Sequence, residues 1–195
     1  MKAGCGTIVS NWGATPVEQS LSFPCDSYLP AAEHAYFRAV DVRAPAAVLF
    51  RWLCQLRAAP YSYDWIDNFG HRSPRRLIPG LEQLARGQRI MTIFELVEFE
   101  PDRHLTLKLT EPRAVAIFGE VAGSYVILPH TERSCRLVVK LLVCYPRWGL
   151  WSGMRWILPW GDLLMMRKQL LTLKRLAERP DRERHRPQDI GKRRA

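Results

Sequence analysis

The chain carries none of the common catalytic or cofactor signatures. Its 195 residues contain no G-x-S-x-G nucleophile turn, no Walker-type phosphate loop and no dinucleotide fingerprint, and Gly4-Cys5-Gly6 is too short to cradle a phosphate. Cysteine is sparse and unpatterned. Cys5, Cys25, Cys54, Cys135 and Cys144 are odd in number and include no C-x-x-C pair. That spacing supplies neither a zinc site nor a disulfide framework, and it fits a reducing, cytoplasmic setting. The histidines (His34, His71, His104, His130 and His185) show no ligand spacing, so no metal and no cofactor is expected. An unbroken hydrophobic run is also missing. Trp148 to Met166 comes nearest, but Arg155, Pro159 and Asp162 interrupt it well short of the roughly 20 residues that cross a bilayer. No basic segment followed by an apolar stretch opens the chain, so no signal peptide is read and the protein is expected to be soluble.

What is present suits one globular domain with extended ends. The hydrophobic fraction is 47%, enough for a sizeable core. The formal charge of +10 gathers at the C-terminus, where residues 179–195 hold seven Lys or Arg against three acids. With Pro180, Pro187 and almost no apolar side chains, this segment reads as a disordered basic tail. It lacks interleaved aromatics on a folded platform, so nucleic acid is not an expected partner. Residues 1–33 show no period and read as an irregular N-terminal arm, with Trp12 docking on the domain.

Between these ends the pattern is regular. His34 to Val42 reads as a strand. Ala44-Pro45 then opens a helix whose buried face is Val48, Leu49, Trp52, Leu53 and Leu56. Asp64 caps a short second helix through Asn68. Gln88 to Glu100 forms one or two strands, and Pro101-Asp102-Arg103 turns into a strand alternating at Leu105, Leu107 and Leu109. Gly119 to Leu128 and Leu137 to Tyr145 complete an antiparallel meander. Leu163, Met166, Leu170, Leu173 and Ala177 fall at helical spacing and predict a long final helix facing the sheet.

This order, with Ala44-Pro45, the segment Tyr61-Ser62-Tyr63-Asp64-Trp65-Ile66-Asp67-Asn68, Arg76-Leu77-Ile78-Pro79, Gly87-Gln88-Arg89 and Met165-Met166-Arg167-Lys168-Gln169, resembles the SRPBCC (START-like) superfamily. The likeness is to uncharacterised bacterial members near the polyketide cyclases and lipid-transfer domains, and it covers about residues 34–178. It implies an α+β helix-grip fold, a curved antiparallel sheet wrapped around the long C-terminal helix with a ligand cavity between them.

Candidate residues follow from chemistry. Tyr61 and Tyr63 either line the cavity mouth, where an apolar ring carries a hydroxyl, or cement the helix–sheet junction; for Trp65 the junction is favoured. Tyr125 and Tyr145 lie on otherwise apolar strand faces, so their hydroxyls need a partner in the protein, water or a ligand. By alternation Arg89 shares a face with Met91, Ile93 and Glu95, which points it away from the core and against a catalytic role. No catalytic residue is assigned. The expected function is binding or carrying a small hydrophobic ligand such as a lipid, isoprenoid or polyketide-like compound. The alternatives are a cyclase or aromatase acting on a polyketide-like substrate, marked by a carboxylate or His inside the cavity within reach of Tyr or Arg, and a module whose Trp148, Trp151, Trp156 and Trp160 make transient contact with a membrane surface.

Overall fold

A computed structural model describes residues 8–62, 73–146 and 156–180. The expected helix at Asp64–Asn68, the side chains of Tyr63 and Trp65, and the basic tail from residue 181 onward lie outside the described residues. Seven strands form one curved, open sheet. They are β1 (Asn11–Trp12), β2 (His34–Val42), β3 (Arg89–Ile90), β4 (Phe94–Glu100), β5 (His104–Leu109), β6 (Glu120–Thr131) and β7 (Ser134–Cys144). Their spatial order is β1-β2-β7-β6-β5-β4-β3; only β1 pairs in parallel, on β2. The meander β3 to β7 therefore runs neighbour to neighbour, and β2 closes against its last strand.

Helices α1 (Pro16–Gln19), α2 (Cys25–Tyr28), α3 (Ala46–Cys54), α4 (Pro112–Phe118) and α5 (Leu158–Ala177) complete the fold. Helix α3 continues into one 3-10 turn, Gln55–Arg57, and packs with α5 on the concave face. Leu49, Trp52, Leu53 and Leu56 are fully buried there against Leu137 of β7 and Leu170 and Leu173 of α5. This is the helix-grip arrangement. Among the described residues no helix is long and apolar enough to cross a membrane.

The arm differs from its irregular reading. Its strand and two four-residue helices are each too short to leave a period in the sequence. Ala14, Phe23, Cys25 and Leu29 bury the outer face of the sheet at Phe37, Ala39, Ala122, Val138 and Leu142. Both faces of β7 are therefore covered, and on the outer one Arg136 and Lys140 alternate with Val138 and Leu142. The Asn11-Trp12-Gly13-Ala14-Thr15 stretch is a built turn: Asn11 donates to Ala14 O (2.8 Å) and accepts from Ala14 N (3.1 Å), and Thr15 and Glu18 cap α1 reciprocally. Gly13 sits at φ +84°, where a Cβ would lie 2.4 Å from Ala39 O, so only glycine fits. Trp12 packs on the concave core with the Arg167 guanidinium 5.6 Å from its ring.

Two further departures bear on the site. Helix α4, capped by Glu111 and started by Pro112, interrupts the meander and escapes notice because it spans under two turns. The 88–100 stretch is not one alternating strand. The chain doubles back at Met91 and Thr92, pairing Arg89 with Glu95 and Ile90 with Phe94. Arg89 is exposed and Ile90 buried, so Arg89 does point outward, but the reversal sets this rather than unbroken alternation.

Candidate functional site

Antiparallel register places directly opposed residues on the same face. Tyr36 of β2 stands opposite Leu141, and Tyr125 of β6 opposite Val139, so all four look toward α5. The second half of α5 presses Leu170 and Leu173 onto the core. Its first half instead presents Gly161, Asp162, Met165 and Met166 to a sheet surface that includes Gly123. Missing and pliable side chains on both walls leave a cavity of about 420 Å³. Leu107, Val121, Leu141, Val143, Phe94 and Phe118 make its wall largely apolar. Met166, read from the sequence as part of the packed stripe, lines this cavity and is only partly buried.

The reversal at Met91 and Thr92 forms part of the rim. Both residues adopt left-handed backbone (φ 49° and 68°), which is unfavourable for non-glycine residues and most so for β-branched Thr92. Such strain persists where surrounding structure enforces it, often beside binding sites.

Few polar groups face the space. The Tyr36 and Tyr145 hydroxyls are 2.9 Å apart. Tyr125 donates to Gln169 Oε1 at 2.7 Å, and Gln169 Nε2 donates to Pro60 O at 2.6 Å. Both proposed tyrosines thus line the cavity with hydroxyls that already have protein partners. Burial is the main cause pushing both phenols above the ordinary tyrosine range, so they stay neutral at physiological pH. Tyr61 lies elsewhere. It is buried against Trp52, ring edge to face at 6.2 Å, and borders a second pocket, while its neighbours Pro60 and Ser62 line the cavity.

Among the described residues the charged group lining the cavity is Asp162, joined to Arg38 by a 2.9 Å ion pair. Arg38 is 1% exposed on the concave face of β2 and also donates to Phe37 O and to Val9 O of the arm. Neither residue was singled out from sequence as a site. The signals were a lone cation on an apolar strand face and the only acid between Tyr145 and Glu178. Burial raises Asp162 to about 6 even though Arg38 pulls it down. Because the folded value exceeds the unfolded one, the folded state holds a proton that the unfolded chain loses between about pH 4 and 6. Stability attributable to Asp162 therefore falls as pH rises through that window, by up to roughly 3 kcal/mol, and is level above it. Urea unfolding at pH 4.5 and 7 is expected to show this slope in the parent and a flatter profile in Asp162→Asn. An unchanged profile would refute the assignment.

The sequence matches no protein-family model and no curated protein. Solved structures do match. The Zhui aromatase/cyclase of a Streptomyces species aligns over 78% of this chain and 96% of its own, at 19% identity and a TM-score of 0.50. A Mesorhizobium loti protein solved by structural genomics aligns over 74% of this chain and 98% of its own, at 16% identity and a TM-score of 0.48. At 19% identity the likeness to the Zhui protein shows the helix-grip fold alone.

Proposed function

We propose that the chain binds and carries a small hydrophobic molecule between its sheet and α5, as a START-like protein of the SRPBCC type. The observation that carries this reading is the apolar cavity of about 420 Å³, within the roughly 300–1,000 Å³ usual for small-molecule sites. Apolar burial supplies the affinity, and the tyrosines supply orientation. Tyr36 and Tyr145 share one hydrogen bond between two hydroxyls, which leaves one O–H able to donate to a ligand. Tyr125 and Gln169 tie the sheet to α5 across the cavity. The four free cysteines among the described residues suit a reducing cytoplasm.

Gly161 tests the reading because a Cβ there meets nothing within 4 Å. Gly161→Leu is expected to fill the space while raising stability by about 0.5–1 kcal/mol, since glycine is a poor helix former. A fluorescent fatty-acid probe should bind the parent, be displaced by apolar competitors, and bind the variant at least tenfold more weakly. Equal binding to both would place the ligand elsewhere.

Asp162 favours a second reading, an enzyme of cyclase or aromatase type, the activity named for the Zhui protein. A carboxylate with a pKa of about 6 in an apolar space is poised to move a proton near neutrality. Under this reading Asp162→Asn abolishes ring closure or dehydration of a polyketide-like chain and leaves its binding intact. A transient membrane contact is part of the carrier proposal. Trp156, Ile157, Trp160 and Leu164 stand exposed beside Leu158, Gly161 and Met165 of the cavity wall, where an apolar ligand would exchange with a bilayer.

A further inference from the structure

Beside the apolar cavity lies a second pocket of about 230 Å³ with opposite character. Three separate stretches build it: Tyr61 and Ser62; Ser73 to Arg75; and the face of α5 bearing Lys168, Thr172 and Arg175, with Arg179 just past its end. Four cations converge on it, and no acidic side chain among the described residues lines it. Arg175 and Arg179 sit where cations complement a helix C-terminus, but Arg75 comes from another segment, so the helix dipole does not explain the cluster. Lys168 and Arg179 have interactions of their own, Arg179 donating to Arg75 O at 3.5 Å, and other basic residues of α5 are occupied elsewhere. Lys174 bonds Asp41 O and pairs with Glu178, and Arg167 lies over Trp12. Arg75 and Arg175, by contrast, form no ion pair among the described residues, and both are exposed.

The two spaces are adjacent. Ser62 lines both. Along α5 the cavity takes Gly161, Met165 and Gln169, and the pocket takes Lys168, Thr172 and Arg175, which continues one stripe at three- and four-residue steps. From Met165 to Arg175 the helix rises about 15 Å, within the span of one extended amphiphile. Tyr61, which lines the second pocket next to Ser62, holds a left-handed backbone (φ 55°), a strained conformation for a bulky residue.

We propose that this pocket holds the anionic head group, a phosphate or carboxylate, of the molecule whose apolar chain fills the cavity. The inference rests on the carrier reading and narrows its ligand to an anionic amphiphile. Guanidinium and ammonium groups suit such a head because they bind its oxygens through charge-assisted hydrogen bonds.

Calorimetric titration with dodecyl phosphate, dodecanol and inorganic phosphate, each below any micellar concentration, separates the possibilities. Dodecyl phosphate is expected to bind at least tenfold more tightly than dodecanol, with inorganic phosphate weak and competing with dodecyl phosphate. In Arg75→Ala/Arg175→Ala the tenfold gap should close while dodecanol affinity and melting temperature hold, since both side chains are exposed. Equal affinities in the parent, or a gap that survives the double variant, overturn the head-group assignment and leave the cavity reading standing. Inorganic phosphate that binds without displacing dodecyl phosphate marks an independent anion site and also overturns it. If neither dodecyl compound binds, the carrier reading falls as well.

Discussion

At pH 8, Arg38→Met is expected to destabilise the protein by about 3–5 kcal/mol, the range seen when one partner of a buried ion pair is removed. For a chain of this size that lowers the melting temperature by roughly 10 °C. The cause is the charge left behind. Asp162 faces an apolar cavity, and Arg38 is the cation that bonds it. The loss should shrink at pH 5, where Asp162, with its raised pKa of about 6, is mostly protonated in the parent too. Arg38→Met/Asp162→Leu should recover most of the stability, because an apolar pair of similar volume needs no counter-charge. Equal losses at both pH values would mean that Arg38 acts through its bonds to Val9 O and Phe37 O rather than through Asp162. Chemical denaturation of the single and double variants at both pH values decides between these accounts.

The same pair shows how far the sequence could be read. Strand β2, the buried face of α3 and the Leu163–Leu170–Leu173 stripe of α5 are legible because burial on one face imposes a period on the residues. The tyrosines of the cavity wall are legible as polar tips on apolar strands. Asp162 and Arg38 are not, because their meaning is a contact across 124 positions that no local pattern records. The reversal at Met91 and Thr92 is hidden for another reason. It uses left-handed backbone without glycine or asparagine, so the residues that usually announce such a turn are absent. The basic pocket joins three segments and leaves no trace in any one of them. The arm is the largest omission, since its contribution is packing by elements of two and four residues.

Beginning the chain at Glu33 is therefore expected to abolish cooperative folding. The truncation strips Phe23, Cys25 and Leu29 from the outer face and leaves Phe37, Val138 and Leu142 in water, all of them buried in the intact protein. It also removes polar ties from arm to sheet, among them Glu18 to Arg136, Asp26 to Lys140 at 2.6 Å, and Val9 O to Arg38 at 2.8 Å. Truncating one buried phenylalanine costs about 3–5 kcal/mol and one leucine about 2–5. Losing both, with the strand pairing of β1, approaches the whole stability of a typical domain, about 5–15 kcal/mol. An uncovered apolar sheet face would also drive association. Phe23→Ala gives the graded version, with an expected loss of about 3 kcal/mol and folding retained. Urea unfolding followed by tryptophan fluorescence, with sedimentation to detect aggregates, measures both. A truncated monomer with the parent's urea midpoint would show that the sheet and α5 form a complete domain without the arm.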